Sequence, residues 1–80
     1  MESPECQAAV DAVIASIVAG DPIATTIALI EAAKALARNI QVIAALTQLL
    51  DSANEGEPSN VLLQMALAIR ALVRASGGGN

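Results

Sequence analysis

Eighty residues, 55% of them hydrophobic, none aromatic and only 15% charged, make one domain too apolar to stay disordered and poorer in charge than an ordinary soluble surface. A net charge of −4 with only four basic residues argues against a phosphate-binding footprint, and the missing aromatic rings remove base-stacking platforms, which sets nucleic acid aside as a partner. One cysteine makes no internal disulfide, no apolar run approaches the ~20 residues of a membrane span, and the acidic start Met1-Glu2-Ser3-Pro4-Glu5 lacks the basic region of a signal peptide. The expectation is a soluble chain with no membrane partner and no targeting signal, cytoplasmic if expressed in a cell.

Ser3-Pro4-Glu5 reads as an N-cap, a first-turn proline and an early acid, and predicts a helix to about Ala19. Cys6, Val10, Val13, Ile14 and Ile17 share one face at helical spacing, a core stripe. The back carries Ala8, Ala12 and Ala15 beside Glu5 and Asp11, which suits either a solvated face of high helix propensity or the approach of another helix.

Gly20-Asp21-Pro22 can end one helix with positive φ, cap the next and fit its first turn. A second helix is expected over 22–38, with Thr25, Leu29, Ile30, Ala33, Leu36 and Ala37 on its inner arc. The other arc holds Glu31, Lys34 and Arg38, but also Ile23 and Ile27, which need a cover. A helix continuous over 22–53 is an alternative, since only Asn39 interrupts the pattern. Asn can adopt the left-handed conformation after one helix and cap another, so a corner at Asn39 is expected.

The third helix, about 40–53, has Val42, Ile43, Leu46, Leu49 and Leu50 inside and Gln41, Thr47, Gln48, Asp51 and Ser52 outside. Asn54-Glu55-Gly56-Glu57 is the most polar run and reads as a loop. The fourth helix, about 59–75 and capped by Ser59 or Asn60, faces Val61, Leu62, Met65, Ile69, Leu72 and Val73 inward. Leu63 and Leu67 fall on the side of Arg70 and Arg74. Residues 77–80 read as a flexible glycine-rich tail after a domain spanning 1–76.

The chain repeats itself. Residues 3–39 laid over 39–75 pair Gly20 with Gly56, Pro22 with Pro58, Ala32 with Ala68, Leu36 with Leu72 and Arg38 with Arg74. Self-similarity at this period marks helix-pair repeats, here about 3–38 and 39–75, in which no unit buries its apolar face alone. The segments 10–39 and 43–80 resemble the second and third helices of an armadillo repeat: an ALxxLL-like helix, an SxxGDP-like turn, then an ALxALxxLA-like helix. HEAT-type pairs fit nearly as well. The resemblance implies an all-α, four-helix, two-repeat α-hairpin stack of the α-solenoid kind. It does not imply peptide clamping, because Arg38 and Arg74 stand where the family's groove carries an asparagine and the groove tryptophan is absent. The tidy caps, alanine-rich filling and near-perfect repeat also resemble a computationally designed protein.

The side chains offer little chemistry. There is no histidine to activate Cys6, which sits on an apolar stripe. Glu2, Glu5, Asp21, Asp51, Glu55 and Glu57 cluster at helix ends and loops, where capping and solvation account for them, while Asp11 and Glu31 fit solvated faces. No catalytic residue, metal site or cofactor is expected, and a small-molecule ligand is disfavoured. What remains is an apolar patch, Ile23, Ile27, Leu63 and Leu67, edged by Lys34, Arg38, Arg70 and Arg74, the composition of a subunit interface with a polar rim. The expected function is a self-assembling structural block forming a homo-oligomer. The alternative is a binding module with an apolar groove for a peptide or small hydrophobic ligand.

Overall fold

The computed structural model describes residues 4–78, with side chains through residue 76. It contains four helices, α1 (Pro4–Ala19), α2 (Pro22–Ala35), α3 (Ile40–Asn54) and α4 (Ser59–Gly78), and no strand among the described residues. The cap expected at Ser3 and the last two residues of the expected tail lie outside the described residues.

The two glycine turns are copies of one motif. Gly20 (φ 70°) donates to the Ile17 carbonyl at 3.0 Å and Asp21 to that of Ser16 at 3.2 Å. Gly56 (φ 81°) donates to Ala53 at 3.2 Å and Glu57 to Ser52 at 3.1 Å. This is the paired closure of a Schellman motif, which needs a left-handed residue and therefore glycine. Asp21 then caps α2, its Oδ1 accepting from Ala24 N–H at 3.1 Å, with Pro22 in the first turn as expected.

The middle corner exists, but for a different reason from the one its sequence suggests. α2 stops at Ala35, short of the expected Arg38, and residues 36–38 form a turn. Asn39 has φ −100° and ψ 98°, and no residue other than glycine has positive φ among those described, so the left-handed conformation expected there is absent. Asn39 instead acts wholly as a cap: Oδ1 accepts from Val42 N–H at 3.2 Å, and Nδ2 donates to Ser76 Oγ at 3.0 Å, tying the start of α3 to the end of α4. α4 begins at Ser59, so Ser59 and Asn60 stand in its first turn rather than before it. The Pro58 carbonyl accepts from Leu62 N–H at 3.2 Å. The helix continues through Gly78, so residues 77 and 78 of the expected tail are helical.

The helical class is as expected, whereas the neighbours are not those of a stack. Stacked hairpins would bring the backbones of α1 and α3, and of α2 and α4, close together, and neither pair approaches in this way; they face each other across the core, where Val10 and Val13 of α1 and Leu46 of α3 line one small gap. Instead α1 touches α2, α2 touches α3, α3 touches α4, and α4 returns to α1. Consecutive helices are antiparallel: Cys6 Sγ near the start of α1 lies 3.6 Å from the Ala35 carbonyl at the end of α2. Both glycine turns line one cleft at a single end of the molecule, with Ser16, Asp21, Glu57 and Ser59 in its walls. The result is an up-and-down ring of four helices, 36 × 18 × 18 Å, whose two hairpins face each other across one core.

That core takes Val10, Val13 and Ile17 from α1, Ala28, Leu29 and Ala32 from α2, Leu36 from the turn after it, Val42, Leu46 and Leu49 from α3, and Ala66, Ile69 and Val73 from α4. Two hydroxyls are buried with them and satisfied locally: Ser16 donates to the Val13 carbonyl at 2.7 Å and Thr25 to that of Asp21 at 2.9 Å. The Gln7 side-chain nitrogen is buried without a partner among the described residues.

The two repeats do not use their second helices alike. α4 buries Ala66, Ile69 and Val73, while the matching residues of α2, thirty-six positions earlier, are Ile30, exposed, Ala33, half-buried, and Ala37, exposed. α2 buries Ala28 and Ala32 instead, whose counterparts Gln64 and Ala68 are exposed. The inner arc expected for α2 is thus wrong at Ile30 and Ala37. The physical cause lies on α1: Ala9 and Ser16 are on the side that Cys6 presents to α2, and small residues on both helices permit the close approach that makes this the most extensive seam of the ring. Rolling α2 onto that seam turns its isoleucines outward.

Candidate interaction surface

α2 has apolar residues on two opposite sides. Its core-facing arc is Thr25, Ala28, Leu29 and Ala32, and the opposite arc carries Ile23, Ile27 and Ile30, spaced at i, i+4 and i+7 and 73%, 57% and 49% exposed, together with the charged Glu31 and Lys34. At fourteen residues α2 is too short to cross a bilayer, and no described helix is long and apolar enough to do so. Ile40, the first residue of α3, is 82% exposed and stands just past the turn that ends α2.

Beside this crest runs a groove between α2 and α3, about 110 Å³, lined by Leu29, Ile30, Ala33, Ile43, Leu46, Thr47 and Leu50. It overlies the least extensive of the four seams of the ring. Among the described residues the exposed large hydrophobics are thus Ile23, Ile27 and Ile30 on α2, Ile40 at the start of α3, and Val18 on α1.

The eight residues expected to form one interface are not brought together as a set. Ile23, Ile27, Lys34 and Arg38 belong to α2 and its following turn, Leu63, Leu67, Arg70 and Arg74 belong to α4, and the backbones of α2 and α4 do not approach each other. Leu63 and Leu67 are half-buried, and Leu63 packs against the core. Met65 and Leu72 mark the side of α4 that faces α3, so Leu63, Leu67 and Arg70 lie on the other side, toward α1. Ile30 and Ile40, which sequence reasoning assigned to the core and to a helix start, belong to the exposed surface. The signal that could have found Ile30 was its place at i+7 from Ile23 and four residues before Lys34, on the stripe that the charged residues mark as outward.

The basic side chains gather at one pole, with Glu5 and Glu31 also toward it, and most of the other acids at the opposite one. Lys34 and Arg38 stand at the end of α2, Arg70 and Arg74 toward the end of α4, and these ends share one pole of the ring, as the Asn39–Ser76 bond requires. Asp21, Asp51, Glu55 and Glu57 stand at the other pole, around the glycine turns. Lys34 Nζ lies 3.8 Å from Glu31 Oε1, an exposed ion pair that joins neighbouring turns of α2. Among the described residues no group of three or more His, Cys, Asp or Glu side chains is placed to hold a metal ion.

No family model matches this chain, and no curated protein or solved structure matches it either.

Proposed function

We propose that this chain is a non-catalytic structural module that self-associates into a homo-oligomer through the outward face of α2. The observation that carries the reading is the crest of Ile23, Ile27 and Ile30, which the chain's own core leaves uncovered. Covering one such side chain contributes about 1.5–3 kcal/mol, whereas an exposed pair such as Glu31–Lys34 contributes about 0–1 kcal/mol, so apolar burial decides the outcome. The groove beside the crest supports a hydrophobic-ligand module less well, since about 110 Å³ falls below the ~300–1,000 Å³ of ordinary ligand pockets. The likeness to armadillo and HEAT-type pairs, and to designed repeats, is one of sequence cadence, and the helix neighbours support two hairpins closed on each other.

The test is the solution mass of the Ile27→Glu variant. Leu63 is unsuitable because it packs against the core. Ile27→Glu places a charge on an exposed position, where a monomer tolerates it within about 0.5 kcal/mol, but an interface does not. The expected result is a parent larger than one chain and a variant of lower mass with unchanged helicity. A parent that is monomeric from micromolar to millimolar concentration removes the proposal.

A further inference from the structure

Resting on that reading, we infer that the partner of the α2–α3 seam is the same seam of a second copy, turned end for end, so that α2 packs antiparallel on its twin about a two-fold axis. Three observations converge on this occupant.

The first is the fate of the equivalent seam. By the thirty-six-residue repeat, α2–α3 corresponds to α4–α1, and the chain closes α4–α1 upon itself with Ala66 at its heart, 1% exposed. In α2–α3 the matching position is Ile30, whose branched side chain stays at the surface and leaves a groove over Ala33, Ile43 and Leu50. One seam is filled from within, and the other is left open with a ridge of isoleucine beside it.

The second is shape. In an antiparallel pair the two-fold axis lies across the helices, so crest meets crest: Ile23, Ile27 and Ile30, spaced at i, i+4 and i+7, interleave with the same residues of the twin, as side-chain ridges do between packed helices.

The third is charge. With Lys34 and Arg38 at one end of the α2–α3 face and Asp21, Asp51 and Glu55 at the other, antiparallel packing sets the basic end of each copy beside the acidic end of its twin, with Glu31 offsetting part of the charge of Lys34. Parallel packing sets like beside like, which costs association. The dipoles of the two α2 helices favour the same choice.

The experiment uses the full chain with Cys6→Ala, so that a single introduced cysteine reports proximity. In the antiparallel pair Ile27 lies close to the axis, while the two copies of Ile23 lie about 12 Å apart along the helix at 1.5 Å per residue, beyond the ~7 Å limit between the Cα atoms of a disulfide. The expected result under mild oxidation is a covalent dimer from Ile27→Cys and none from Ile23→Cys. Covalent dimer from both means parallel packing and overturns the inference. A non-covalent dimer that neither cysteine captures means another face, and overturns it while leaving self-association standing. A monomeric chain overturns both. A second variant, Ile30→Ala, gives the open seam the residue found in the closed one. It is expected to weaken dimerisation roughly tenfold or more with helicity kept, and an unchanged dissociation constant counts against the seam as the contact.

Discussion

At the scale of single residues, Asn39 holds more of the molecule than its size suggests. Its backbone N–H donates to Leu36, its Oδ1 caps α3 at Val42, and its Nδ2 reaches Ser76 thirty-seven residues away. Because φ is −100°, glycine gains nothing here from conformational freedom, and substitutions are graded by which bonds they delete. Asn39→Asp keeps the cap and should be mildest. Asn39→Ala loses cap and tie together and should cost about 1 kcal/mol or slightly more, while Asn39→Pro also removes the donor to Leu36 and should cost most. Urea denaturation of the three variants checks the order. If Ala and Asp unfold together, the side-chain bonds contribute nothing to the corner.

At the scale of elements, the helices differ in how legible they were. α1 and α3 announce themselves through a stripe on one side and, in α3, a polar face on the other, and the core residues Val10, Val13, Ile17, Val42, Leu46 and Leu49 follow from that spacing. The glycine turns were legible because only one residue type satisfies them. α2 was legible as a helix and mostly legible in rotation: Thr25, Leu29 and Leu36 are buried and Ile23, Ile27, Glu31 and Lys34 exposed as their spacing suggested, while Ile30, at the edge of the inner arc, turned outward and Ala28 and Ala32 took the contact with the core. The eight interface residues proposed from the sequence are divided between α2 with its following turn and α4, because their grouping assumed that the two helices turn the same way. Ala32 tests this account. It is fully buried at the α1–α2 seam, so Ala32→Leu should overpack it and cost about 1–3 kcal/mol, whereas Ala68→Leu, at the matching but exposed position of α4, should lie within about 0.5 kcal/mol. Thermal melts of the pair decide it. Equal losses would mean that the repeats pack alike after all.

At the scale of the whole molecule, an 80-residue chain with alanine at several core positions has a modest store of buried surface, and association would add to it. Fold and assembly would then be linked by mass action, so the midpoint of thermal unfolding should rise with protein concentration, by a few degrees per tenfold for a domain of this size. Calorimetry over two decades of concentration measures this. A midpoint independent of concentration would show that the ring stands alone and that the isoleucine crest is simply tolerated.

The closure of α4 upon α1 bears on the time course of folding. Three of the four seams join helices that follow one another, across connections of only two to four residues. Such hairpins form early because little chain entropy is lost in bringing their halves together. The fourth seam joins the first helix to the last and encloses α2 and α3 in its loop, so it bears the largest entropic cost and yields its contacts last. Until it engages, Val10, Val13 and Ile17 of α1 and Ala66, Ile69 and Val73 of α4 lack part of their cover. The α1–α4 seam is thus the latch of the fold, and a chain caught before it shuts exposes apolar surface on both flanks rather than on α2 alone.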